Sequence, residues 1–511
     1  MHRILRRPRF RPFALALLAG AALAGGTARA AVGQDTGAAP RTARARPGAS
    51  ARRSSLARRL NRLLDEEPFD RALWGVAIAG PGGRLAFERN GDRLFIPASD
   101  AKLVVASVAA ALLPADYRYR TSVYAAGPID SGAVRGDLVL YGRGDPTLSA
   151  RYYDSVSAAL DELADTIRAR GITRVTGDLV GDASYFDSVL VHPSWEGYDL
   201  NWWYAAPVTA LGYNDNSVDF RITPGFVGRP PAISFQPDIG VIEFTNRALT
   251  APADSPRTID FYRLPGTNVV WAEGNVPEDA RPWTEYFSVW DAPAWAAAAF
   301  RRSLERRGIT VEGRVRTAYD SSAYAAARAG APLAEHLSRP LPDILRPILE
   351  SSQNWFADML LKTLGREFRG RGAFDAGLDV ERRFLIDSLR VDSTQFDLVD
   401  GSGLSSGNLI TPRAFVQILR RMREHPRGAP FLEALPLAGR TGSLRYRFRD
   451  GPLEGRVRAK TGSIARVNTL AGYLELEGGR VWTFSIQLNH HTGTTRDALR
   501  RIDAIVAELL P

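Results

Sequence analysis

The chain has 511 residues, 45% hydrophobic and 24% charged, a composition that fits a large globular protein of roughly two to four domains and excludes a disordered or collagen-like chain. Its net charge of +10 is concentrated at the start: residues 1–60 hold thirteen Arg and one acid, Asp35, and the rest carries 53 bases against 55 acids, so no nucleic-acid partner is expected. Cysteine is absent, which excludes a disulfide framework, a thiolate nucleophile and Cys-bound metal.

In chain order, an Arg-rich start, an apolar run from Phe13 to Leu23 and a small-residue end at Ala28-Arg29-Ala30 form the layout of a secretory signal peptide over residues 1–30. Export to the periplasm or the medium is expected. A retained leader would leave a weak membrane or cell-wall association. Residues 31–55 lack large apolar side chains and read as a disordered linker. Order is expected from Leu56, with strands at Trp74–Ala79 and Leu85–Glu88 and an apolar helix from Ser99 to Leu113, stopped by Pro114. Residues 118–282 alternate in short strands between Gly, Pro, Asp and Asn turns, interrupted by one helix near Ser157–Arg170. They read as an inserted, mostly β module between two parts of a main domain, 56–117 and 283–511. Helical patterns follow at 294–307, 341–351, 355–365, 374–390 and 412–425. Three strands (455–461, 470–476, 481–488) and a last helix, 495–510, complete an α+β fold.

Lysine occurs only at positions 102, 362 and 460, against 63 Arg. Where Arg serves as the generic cation, a surviving Lys is a candidate for chemistry that Arg cannot do, because only Lys can give up its proton. Lys102 lies three residues after Ser99, so a hydroxyl and an amine share one face at a helix start, and a neutral Lys there can act as base to the Ser. Ser352 and Asn354, two apart, would project together only from a turn at a helix start. Lys460, Thr461, Gly462 and Ser463 close an alternating strand, where a cation and a hydroxyl can hold a carboxylate and Gly462 leaves room for a peptide backbone alongside. Lys362, mid-helix and without a partner motif, is assigned a structural or surface role.

SxxK, SxN and KTG in this order resemble the penicillin-recognising serine transferases. More narrowly, the chain resembles the low-molecular-mass class C penicillin-binding proteins, the D-alanyl-D-alanine carboxypeptidase/endopeptidase family. Ser99 and Ser352 are 253 positions apart, which leaves room for that family's insertion. Gly144-Asp145-Pro146-Thr147-Leu148, Asp400 to Ser405, and Asp291 to Gly313 are similar to its signatures. The resemblance implies a β-lactamase/transpeptidase-like domain that acts on peptidoglycan stem peptides and is inhibited by β-lactams. No cofactor is expected, and six scattered His without an HExxH motif give little support for a metal. It also implies roles: Ser99 as acylated nucleophile, Lys102 as its base, Ser352 as proton relay and Asn354 as holder of substrate amide and Lys102. Lys460 and Thr461 would bind the terminal carboxylate, and the backbone N–H groups of Ser99 and Ser463 would form the oxyanion hole. The Lys460 charge should help keep Lys102 neutral. Arg143 before Asp145 and Asp100 inside SxxK depart from the pattern.

Two other readings compete. Gly403 to Gly407 matches a G-x-S-x-G elbow around Ser405, with His490 or His491 downstream, but it lacks the strand and helix that flank such an elbow. A catalytically degenerate cell-wall-binding protein could keep the scaffold, although Ser99, Lys102, Ser352, Asn354, Lys460 and Thr461 are all present. Trp202-Trp203-Tyr204 could stack on substrate, or simply pack the module.

Overall fold

Two segments from opposite ends of the chain build the central sheet. The computed structural model describes residues 47–510. The sheet is antiparallel, in the order Leu85–Arg89, Leu73–Ala79, Val481–Asn489, Val467–Glu475, Val457–Ile464. At the seam Leu73 faces Asn489 and Ala79 faces Thr483. Strand alternation sorts the side chains. Val76 and Ile78 join Phe484, Ile486 and Leu488 in a core closed by Leu60, Leu64, Ile502, Ile505 and Val506 from the first and last helices. Ala77 and Ala79 face the other way, and their small size lets Val416 of the Pro412–Glu424 helix pack against the sheet.

The Lys102–Leu112 helix, KLVVASVAAAL, is apolar on every side and is therefore central: every residue from Lys102 to Ala111 is buried. Thr411 and Thr494 cap the two helices that follow them, each accepting from a backbone N–H three residues on. Gly370, in the left-handed region at φ 72°, ends the Asn354–Arg369 helix.

Two expected boundaries move. The first helix runs Pro47–Asp65, so it begins inside the stretch expected to be linker. Pro fits a first helical position, and the Ala and Arg that follow favour helix. Residues 1–46, with the expected signal peptide and the first part of the linker, lie outside the described residues. The inserted module does not stop at 282. Its five-stranded sheet has the order Val315–Ala318, Leu179–Asp182, Asp137–Gly142, Arg120–Ala126, Ala334–Leu337, so strands from beyond 282 form both of its edges. The sequence signal failed here because the Ala292–Arg306 helix, which packs on this sheet, resembles a return to the main domain. A separate β portion is held by Phe220, whose ring centroid lies 4.9 Å from those of Phe244 and Phe261. Residues 50–511 form one compact unit.

Candidate active site

Ser99 sits in a single 3-10 turn, Ala98–Ala101, that feeds directly into the Lys102–Leu112 helix. The turn presents the partly exposed Ser99 hydroxyl to the Lys102 amine, whose Nζ donates to Ser99 Oγ at 2.9 Å. The same Nζ donates to Asn354 Oδ1 at 2.7 Å and to the Ser402 carbonyl at 2.5 Å. Burial, reinforced by the Lys460 charge, pushes the Lys102 amine well below its ordinary value, against the pull of Asp358 and Asp400. A neutral amine in this position directs its lone pair at the Ser99 proton.

Ser352 and Asn354 leave a turn at a helix start, as their spacing predicts. Ser352 has φ 60°, Gln353 is the N-cap, and Asn354 opens the Asn354–Arg369 helix. Asn354 Nδ2 donates to the Tyr204 carbonyl at 2.8 Å, which fixes the amide so that Oδ1 faces Lys102. Lys460 Nζ donates to Ser352 Oγ at 2.9 Å and to the Thr461 carbonyl at 2.7 Å. Burial pushes the Lys460 amine down to about 8. The strand carrying Lys460 is the last in the sheet order, so Thr461 and Ser463 lie at its rim. Thr461 Oγ1 donates to Ser443 Oγ at 2.8 Å.

The structure therefore brings the five side chains together as two hydrogen-bonded groups, Ser99–Lys102–Asn354 and Ser352–Lys460, close enough that the Lys460 charge acts on Lys102, with Thr461 and Ser463 beside them. Gly462 has a different role from the one expected. It is buried, and a Cβ there would collide with Thr469 Oγ1 and the Pro97 carbonyl, so glycine is required to seat the nucleophile turn rather than to admit a peptide. Lys362 is not on the surface: it is fully buried and donates to Asp187 at 2.8 Å and to the Val189 and Val208 carbonyls. Trp202 packs edge-on against Phe287, while Tyr204 reaches the site through its carbonyl.

Three participants carry no motif of their own. The Ser402 carbonyl is presented by a loop wrapped on Asp400, which accepts from the N–H groups of Gly403 and Ser405, from Asn408 Nδ2 and from Trp195 Nε1. The signal was the Asp400–Ser405 signature, which marks the loop but not which atom it offers. Ser443 and the Tyr204 carbonyl had no signal. Asp145 turns its own loop, accepting from Thr147 N and Oγ1 at 2.8 and 2.7 Å. Ser405 is buried and bonded to Ser194, and His491 bonds Asn468 and Gly493, so no G-x-S-x-G dyad forms.

The model of the D-Ala-D-Ala carboxypeptidase 3 (S13) family matches residues 56–509. The chain belongs to that family. It is 35% identical over 472 residues to a D-alanyl-D-alanine carboxypeptidase of Actinomadura sp. (strain R39), covering 90% of this chain and 85% of the relative. It is 27% identical to the D-alanyl-D-alanine carboxypeptidase DacB of Haemophilus influenzae, covering 82% and 86%. The solved penicillin-binding protein 4 of H. influenzae superposes with a TM-score of 0.78 at 26% identity, over 88% of this chain and 98% of that one. A second structure of that protein, holding a novel β-lactam, superposes with a TM-score of 0.73 at 24% identity over the same shares. The chain shares the fold of that penicillin-binding protein, α+β with a large β insertion, and is a serine-type D-Ala-D-Ala carboxypeptidase, a hydrolase of the low-molecular-mass class C penicillin-binding proteins.

Proposed function

We propose that the cluster runs an acyl-enzyme cycle on peptidoglycan stem peptides, with Ser99 as nucleophile. Lys460 and Thr461 hold the terminal carboxylate of the peptide. Lys102 Nζ takes the Ser99 proton as Oγ bonds to the carbonyl carbon of the D-Ala-D-Ala bond, and the oxyanion that forms is received by the backbone N–H groups of Ser99 and Ser463. Ser352 relays a proton to the leaving nitrogen, the C–N bond breaks and the terminal D-Ala departs. Water then attacks the ester with Lys102 again as base, which frees the shortened peptide and restores Ser99. The same geometry suits cleavage of peptide crosslinks. A β-lactam, which presents a strained amide and a carboxylate, would acylate Ser99 and remain there, in keeping with the β-lactam held by the H. influenzae protein. The signal-peptide layout of residues 1–30 and a cell-wall substrate support work outside the cytoplasm. Among the described residues no helix is long and apolar enough to cross a membrane.

The observation that carries this reading is the buried Lys102 amine bonded at once to Ser99 Oγ, Asn354 Oδ1 and the Ser402 carbonyl. Nothing in the geometry favours a catalytically degenerate role. The test is intact-protein mass after incubation with benzylpenicillin: wild type gains one penicillin and Ser99→Ala gains none. An unmodified, well-folded wild type would overturn the proposal.

A further inference from the structure

Lys460 is fully buried, so its charge reaches a substrate carboxylate from beneath, and the contacts at the surface fall to side chains on the rim of the strand. Thr461 is one of them, and its Oγ1 lies 2.8 Å from Ser443 Oγ. Ser443 is exposed and comes from a separate element, the single 3-10 turn Gly442–Leu444. Three bonds fix that turn. Ser443 N donates to the carbonyl of Glu350, two residues before Ser352, at 3.0 Å, and Gly439 N donates to the Leu444 carbonyl at 3.0 Å. Leu437, itself paired with Arg458 of the Lys460 strand, donates its N–H to Thr441 Oγ1 at 3.1 Å. Leu444 is buried in the core beneath. A Cβ on Gly442, which holds φ 53°, would collide with the Glu350 carbonyl, so the turn sits as close to the Ser352 segment as a backbone can.

Counting protons shows what this pair can offer. Two hydroxyls own two protons, and the bond between them uses one, given by Thr461 to Ser443. Among the described residues no atom receives the Ser443 proton. The pair therefore faces the rim with one free donor, and a second is released when Thr461 Oγ1 turns its proton away from Ser443. A carboxylate is an acceptor only, with two oxygens side by side, and its charge makes each bond about twice as strong as the neutral one given up.

We propose that Ser443 is a substrate-binding residue, the second prong of a hydroxyl fork in which Thr461 donates to one oxygen of the terminal carboxylate and Ser443 to the other. The Lys460 ammonium lies behind the fork and supplies the charge. Because the Gly442–Leu444 turn hangs from Glu350, the fork also fixes the carboxylate relative to Ser352, the group that relays a proton to the leaving nitrogen. A β-lactam carboxylate is held in the same way. The proposal rests on the reading of the Lys460–Thr461 rim as the carboxylate site.

The test is the rate of Ser99 acylation, followed as adduct mass against time, by benzylpenicillin and by its methyl ester, which keeps the strained amide and removes the charge. Wild type is set beside Ser443→Ala and Ser443→Thr. Alanine at this exposed position leaves the backbone N–H on Glu350, so the turn is kept. With benzylpenicillin, Ser443→Ala should be slower by about 10-fold in second-order rate, the scale of one charge-assisted hydrogen bond, and Ser443→Thr should recover most of it. With the ester, Ser443→Ala and wild type should differ by no more than about threefold. Equal slowing with both compounds would give Ser443 a merely structural role and overturn the proposal, as would a Ser443→Ala variant that reacts with benzylpenicillin at the wild-type rate. A wild type that does not distinguish acid from ester would instead overturn the rim as a carboxylate site, the reading on which the proposal rests.

Discussion

An amine that must accept a proton from Ser99 cannot already be saturated with protons, and the Lys102 site is built around that requirement. Three oxygens surround Nζ and each is fixed by other contacts: Asn354 by the Tyr204 carbonyl, Ser402 by its loop, Ser99 by its turn. A neutral amine thus donates to the first two and accepts from the Ser99 hydroxyl. A guanidinium here would keep the charge and lose the base, since Arg does not deprotonate under protein conditions. Lys102→Arg should therefore slow acylation by benzylpenicillin by about 10³-fold, the scale of a lost general base, when followed as adduct mass against time. Acylation at the wild-type rate would show that charge alone suffices. The burial of all three lysines gives the compositional argument its physical content: in a chain that takes Arg for its exposed cations, each Lys occupies a fully enclosed position where a slim ammonium fits.

Elements rather than residues decide how the three motifs meet. The Ser99 turn rests on the two strands Val457–Ile464 and Val467–Glu475, and the contact is close because residue 462 has no side chain. In Gly462→Ala the new Cβ meets the backbone of Pro97 and the Thr469 hydroxyl, neither of which can yield without moving Ser99. The expected result is a loss of about 10²-fold in kcat/KM together with about 1–3 kcal/mol of stability, measured by peptide hydrolysis and urea unfolding. Unchanged activity would mean that the turn floats freely over the sheet. Periodicity made most of these elements legible, including the Trp74–Ala79 strand, the 294–307 helix and the closing strands, because each buries one regular face. Motif spacing likewise exposed Ser99, Lys102, Ser352, Asn354 and Lys460. What stayed hidden has a common cause. The Ser402 and Tyr204 carbonyls act as backbone atoms, which leave no mark in residue identity, and the seam at Leu73–Asn489 depends on long-range pairing that local patterns do not encode.

At the scale of the whole molecule, the inserted residues and the catalytic core share one helix. Asn354–Arg369 begins at the Lys102 amine, and further along it Lys362 enters the insertion, where Asp187 and the Val189 and Val208 carbonyls receive its protons. The ring of Phe374 lies 4.6 Å from the ammonium and completes the enclosure. Burial lowers the Lys362 amine, while Asp187 holds it up. Replacing it strands a partly buried carboxylate and two carbonyls with no other donor at hand. Lys362→Met fills the volume without supplying those bonds, and it should lower stability by about 3 kcal/mol in urea unfolding, the scale of a buried ion pair deprived of one partner. A surface cation replaced in the same way would change stability by no more than about 0.5 kcal/mol. Because the loss falls on the contact between insertion and helix, and Lys362 touches none of the reacting groups, the folded fraction of Lys362→Met should still take up one penicillin at Ser99. Folded protein that has lost acylation would instead mean that the insertion sets the geometry of Asn354, and that the two parts of this chain are coupled in catalysis as well as in stability.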